Sequence, residues 1–206
     1  MVEPVDPVIE DARAFLRSHL SGLLRFDGEH RPLKVVIAPD GRLVAPVMVA
    51  MIRSLDTTLC LPDDDDESLH LQVSLEQFEE RAPHAALADR WRIYHGDPPD
   101  VRWAMMKIDA GRFDGLFIDG DALTCPNSLS AIEPAICKSL NASHVDLVRA
   151  ACLAHAKIGI EKPRVVGVDD MGFDVRGTFD VVRLAAPAPL RNESDALAAL
   201  QRLARG

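Results

Sequence analysis

The chain has 206 residues, 48% of them hydrophobic and 27% charged, with 23 Lys and Arg against 32 Asp and Glu for a net charge of -9. A nucleic-acid partner needs clustered positive charge, so this balance argues against one, and no apolar run approaches the roughly 20 residues that span a bilayer. The N-terminus Met1-Val2-Glu3-Pro4-Val5-Asp6 is acidic and broken by prolines, unlike a signal peptide, so the expected location is cytoplasmic; the scattered Cys60, Cys125, Cys137 and Cys152 then read as free thiols.

Asp6 can cap a helix whose first position is Pro7, where a missing amide proton costs nothing. Ile9, Ala12, Phe15, Leu16, Leu20, Leu23 and Leu24 follow at helical spacing, which predicts a helix ending between Arg25 and Gly28, with His19 at the edge of its apolar face. Leu33–Ala38 and Leu43–Met51 flank Pro39-Asp40-Gly41 and read as a hairpin. Pro46 within the second run suggests an edge or a bulge. Thr57–Leu61 and the alternating Leu69–Phe78 are further strands.

Arg90–His95 fits two periods: Trp91 and Ile93 alternate with arginines, whereas Leu87, Trp91 and Tyr94 follow helical spacing. The Gly96-Asp97-Pro98 ending favours a strand from Arg90. Val101–Asp109 and Phe113–Asp119 complete a run of short strands that suits a closed barrel of six or seven strands from about Pro32 to Gly120. Asp121–Ser130 reads as a linker. Helices are expected at Ile132–Leu140 and Ala142–Ile158, the second ended by Gly159, then a hairpin over Arg164–Leu184 and a last helix over Glu193–Ala204 capped by Asn192. The fold class is α+β, with domains at 1–125 and 126–206.

The chemistry-bearing candidates are few. Asp63-Asp64-Asp65-Asp66-Glu67 is a run of five carboxylates, which reads first as a solvated loop. It lacks the glycine-turned spacing of a calcium loop. Arg53, Arg90 and Arg92 are candidate anion-binding residues, together with Arg42, Arg102 and Lys107. Trp91 and Trp103 offer a flat wall for a planar ring, with core packing as the competing reading. His144, Val148, Cys152 and His155 share one helix face. His144 and His155 lie about 16 Å apart along that axis, too far for one metal, which leaves His144 as a single axial ligand. No Gly-x-Ser-x-Gly, Gly-rich phosphate loop or His-Glu-x-x-His occurs.

Val165-Val166-Gly167-Val168-Asp169-Asp170-Met171-Gly172-Phe173-Asp174-Val175-Arg176 reads as strand, tight turn and strand, preceded by a helix carrying Asn141-Ala142-Ser143-His144 and followed by a short helix. This order resembles the small C-terminal domain of haem-utilisation proteins of the HugZ type. The resemblance implies a split β-barrel of the FMN-binding type, related to pyridoxamine 5'-phosphate oxidase, with a small helix-hairpin-helix α/β domain behind it. Where that family has His-Met-Asn-x-Asp-His, this chain has Ser139-Leu140-Asn141-Ala142-Ser143-His144, so Asn141 (as a helix cap) and His144 remain. Gly167, Asp169, Gly172, Phe173 and Asp174 match as structural residues.

The resemblance also implies a homodimer with a ligand cleft at its interface, and the apolar segment Leu43–Ile52 is the candidate contact. Three functions follow: binding of haem or a related tetrapyrrole, with His144, Arg90, Arg92, Trp91 and Arg53 as site residues; a non-catalytic adaptor, paired with itself or a tetrapyrrole-pathway protein; or an FMN-dependent oxidoreductase. The third is disfavoured. The family's flavin phosphate sits where this chain has its five acids, and two unit charges ~6 Å apart at an effective dielectric of ~20 repel by almost 3 kcal/mol.

Overall fold

A computed structural model describes residues 6–100, 102–178 and 180–206. The chain divides into two compact units, Met1–Pro126 and Asn127–Gly206.

The first unit opens with helix α1 (Pro7–Ser18), where the Asp6 side chain accepts the Val8 N–H as expected. The helix stops at Ser18, short of the expected end between Arg25 and Gly28, and Leu20, Leu23 and Leu24 leave the helical period. Strand β1 (Ser21–Phe26) takes over because Gly22, a poor helix former, lets the chain press onto the next-door strand: a Cβ there would lie 2.0 Å from the Cys60 carbonyl oxygen. Asp27 and Gly28, both at positive φ, then turn the chain into β2 (Glu29–Lys34), the two-residue turn that Asp-Gly favours.

The expected hairpin around Pro39-Asp40-Gly41 is present but short, pairing β3 (Val36–Ile37) with β4 (Leu43–Val47). Pro46 lies beyond the end of β3, on the locally open side of β4. Helix α2 (Val49–Arg53) replaces the rest of the expected strand. β5 (Thr57–Leu61) and β6 (Leu69–Phe78) coincide with the predicted runs.

Residues Ala85–His95 form helix α3, which corrects the strand expected at Arg90. The helix-forming Ala85-Ala86-Leu87-Ala88 precedes the alternating stretch, and Ala88, Trp91 and Tyr94 bury one face. Gly96 at φ 90° ends it. β7 (Arg102–Phe113) and β8 (Leu116–Asp119) follow, joined by a second Asp-Gly turn at Asp114-Gly115, then the short α4 (Gly120–Leu123). The predicted strand start at Val101 lies outside the described residues.

These strands form one antiparallel sheet in the order β2-β1-β5-β6-β7-β4-β3, with β8 also on β7. Its two edge strands, β2 and β3, are separated in sequence only by Val35. The sheet therefore curls strongly upon itself into a half-barrel, which Leu24, Leu43, Leu59, Leu61, Leu69, Leu71, Met106 and Ile108 fill. β4 is buried along its whole length, so of the expected contact segment Leu43–Ile52 only the part from Met48 onward reaches the surface.

The second unit holds α5 (Glu133–Ser143), α6 (Val145–Ala156), β9 (Arg164–Asp169), β10 (Gly172–Arg176), β11 (Val181–Ala185) and α7 (Glu193–Leu203). Its strands make a three-stranded meander in the order β11-β10-β9, one strand more than a hairpin. Helix α6 ends at Lys157, at φ 58°, two residues before the expected Gly159. Asn192 caps α7 through the Asp195 N–H. Phe173, Val175, Leu184, Ile136, Leu140 and Leu200 form the core of this unit.

Asn141 does not cap a helix. It sits inside α5 and clamps β9, accepting the Val165 N–H and donating to the Val165 carbonyl, each at 2.8 Å. Glu133 accepts the Val168 N–H at 3.1 Å, and Asn127 donates to the Val168 carbonyl at 2.9 Å. Three side chains thus meet four backbone groups along the outer edge of β9.

Candidate functional site

The chemistry of the first unit concentrates where β1, β2, β5, β6 and β7 present one face. Antiparallel register decides which side chains share it: His70 lies opposite both Cys60 and Arg112, and Arg25 opposite His30. Leu23, opposite Cys60 and two residues from Arg25, links the two sets onto the same face.

The five-acid run folds over this face. The Asp65 carboxylate accepts the Glu67 N–H and the Ser68 hydroxyl, and Asp63 accepts the Asp64 N–H. So organised, the loop delivers Asp64 between four partners. Its Oδ1 accepts the Cys60 thiol at 3.5 Å and lies 3.8 Å from His70 Nε2; its Oδ2 lies 3.2 Å from His30 Nε2 and 3.4 Å from the Arg25 guanidinium. Asp66 pairs with Arg112 at 3.5 Å. Desolvation works to raise the Asp64 carboxyl, but the Cys60 thiol, Arg25, His70 and His30 together hold it below its ordinary value. Burial, and then the Asp64 charge, pushes the Cys60 thiol up to about 12. Around this loop lies a polar recess of about 510 Å³ reaching Arg25, His70 and Arg112.

A second concavity, an open cleft of about 590 Å³, shares Asp66 with the first and runs between α1, the loop and the end of β7. Phe15, His19 and Phe113 line it. The His19 ring stacks on Phe15 with centroids 4.1 Å apart, and Phe15 meets Phe113 at 5.1 Å. His19 Nδ1 lies 2.9 Å from the Phe15 carbonyl oxygen. A carbonyl only accepts, so Nδ1 carries the hydrogen, and in the neutral ring Nε2 keeps its lone pair. Asp11, Asp66, Glu67 and Asp114 give the cleft an acidic rim.

The site residues expected from sequence fall on α2 and α3 of the first unit and on the second unit. Arg90, Trp91 and Arg92 lie on α3 and are engaged locally: Arg90 donates to the Ile37 carbonyl and Tyr94 hydroxyl, the Trp91 indole to the Lys34 carbonyl, and Arg92 in two-pronged fashion to Glu80. Trp91 and Trp103 meet edge to face in the core. Arg53 is exposed at the end of α2. His144 belongs to the second unit, at the junction of α5 and α6, where Val148 and Cys152 point into the core and His155 is exposed. Among the described residues, the only Cys, His and carboxylate groups gathered closely enough for an ion are Cys60, Asp64 and His70. Their signal was indirect: pairing Leu61 with Leu69 across the acid loop sets Cys60 opposite His70.

No protein-family model matches the sequence, and no curated protein does. Solved structures do. A protein of unknown function from Agrobacterium tumefaciens superposes with a TM-score of 0.74 at 18% identity, over 99% of this chain and 98% of its own. A haem-binding protein from Mycobacterium smegmatis aligns with a TM-score of 0.47 at 20% identity, over 100% of this chain and 98% of its own. The first likeness establishes a shared fold. Among the described residues no helix is long and apolar enough to cross a membrane.

Proposed function

We propose that this chain binds haem or a related tetrapyrrole in the cleft beneath α1, with His19 as the axial donor. The anchored His19 imidazole carries the reading. A hydrogen bond from one ring nitrogen to a backbone carbonyl fixes ring orientation and leaves the other nitrogen basic, which is how protein imidazoles are prepared for a metal centre. Phe15 and Phe113 give the cleft aromatic walls, and the cleft volume falls within the range of cofactor sites.

The four carboxylates of the rim speak against a flavin phosphate seated at this cleft, and the macrocycle's own acid groups would have to avoid the same rim. His19 replaces His144 as the favoured ligand because it faces a concavity with aromatic walls. The homodimer implied by the resemblance needs a surface other than β4; Leu116 and Phe117 on β8, 52% and 85% exposed, are among the exposed apolar side chains a second copy could cover.

Titration of the purified chain with haem at micromolar concentration tests this. A sharp Soret band is expected, abolished or shifted in His19→Ala and unchanged in His144→Ala, with no quenching of FMN fluorescence. A band lost in His144→Ala but kept in His19→Ala overturns the site. Absence of any band overturns the function and leaves the adaptor role.

A further inference from the structure

We propose that Cys60, Asp64 and His70 form a binding site for a divalent transition metal of the zinc type, separate from the cleft at His19. The thiol sulfur, one carboxylate oxygen and one imidazole nitrogen lie within 4.8 Å of one another. Asp64 Oδ1 is 3.5 Å from Cys60 Sγ and 3.8 Å from His70 Nε2. Donors on a tetrahedral ion, with bonds of about 2.0–2.3 Å, stand about 3.3–3.6 Å apart. Two of the three pairs already stand near that spacing, and the third, Cys60 to His70, is held within 4.8 Å and closes as the ion draws the donors in.

The donor set selects the metal class. Thiolate and imidazole favour zinc or cobalt over magnesium or calcium, which take oxygen. Three protein donors leave a fourth position, and Asp64 and His70 both line the polar recess, so that position opens there. The support is built as well: His30 and Arg25 hold the outer oxygen of Asp64, which turns Oδ1 toward the cysteine. His70 Nε2 now donates its N–H to the Asp65 carbonyl at 2.8 Å; on binding it would give up that contact and that proton, the ring passing to its Nδ1–H tautomer so that the Nε2 lone pair meets the ion. On binding, the Cys60 S–H bond breaks, the proton leaves to solvent and a sulfur–metal bond forms; no electron changes hands.

Cobalt(II) is the probe. Metal-free full-length protein titrated with Co²⁺ should take up one equivalent with a thiolate-to-cobalt charge-transfer band in the near ultraviolet, removed by added Zn²⁺. Cys60→Ser should lose that band with an unchanged far-ultraviolet circular dichroism spectrum. His30→Ala should weaken binding about 10- to 100-fold, as for a residue that orients a ligand, and His70→Ala by more. No charge-transfer band in the wild-type protein, or wild-type affinity in both Cys60→Ser and His70→Ala, overturns the proposal. The haem titration of Cys60→Ser should match wild type; loss of both signals together overturns the separation of the two sites.

Discussion

Each unit contains a cluster of aspartates with arginine, and the two clusters are built for different ends. In the second unit, Arg183 donates to Asp169 at 2.5 Å and to its cross-strand partner Asp174 at 3.0 Å, with all three side chains between 7% and 12% exposed. Desolvation works against the charge on Arg183, but Asp174 and Asp169 outweigh it and keep the guanidinium protonated. Asp169 also accepts the Met171 N–H and so fixes the turn before β10. In the first unit, Asp64 stands at a recess between a thiol, two imidazoles and a guanidinium, at longer distances. Identical side chains thus make a closed structural knot where their hydrogen bonds are short and water is excluded, and an adaptable donor set where they are not.

The largest expected effect falls on the closed cluster. Arg183→Met strands two buried carboxylates and should cost about 3–5 kcal/mol in urea denaturation. Its counterpart, Arg112→Ala, removes a surface pair and should cost at most about 1 kcal/mol. Equal losses would break the contrast. Asn141→Ala leaves the Val165 N–H and carbonyl without their clamp and should cost about 1–3 kcal/mol by the same measurement.

Thiol chemistry sharpens the comparison further. Cys60 and Cys152 are buried and pushed up to about 12 and about 11, so alkylation near neutral pH should label the half-buried Cys125 and Cys137 first, as peptide mass mapping would show. The smallest effect is on acid stability. The folded Asp64 carboxyl lies below its ordinary 3.8, so its contribution is complete above that value and is lost as pH falls through the folded one. The stability difference between wild type and Asp64→Asn should therefore shrink as the solution is taken below pH 3.8; a constant difference would remove Asp64 from the charged network.

Local signals were legible wherever one physical rule acted alone. Alternation placed β6, a short β-rich run placed β5, and the caps Asp6 and Asn192 placed the starts of α1 and α7. Competing rules hid the rest. Leu20, Leu23 and Leu24 extend a helical period into a strand, and only Ser21-Gly22 and the Asp27-Gly28 turn argue otherwise. The alternation at Trp91 and Ile93 masked α3, which the preceding alanines favour. The candidate site was less legible because it is a product of register. Cys60 and His70 are ten positions apart, and only strand pairing makes them neighbours. The acid run read as a repulsive loop because its counter-charges, Arg25 and Arg112, come from distant strands.

The sealed rim of β9 has a consequence for how molecules of this protein meet one another. An unpaired strand margin is a template on which a stray strand from a neighbouring molecule can add, the first step toward aggregates. Asn127, Glu133 and Asn141 occupy those positions from within the chain, so the three-stranded meander can grow no further on that side.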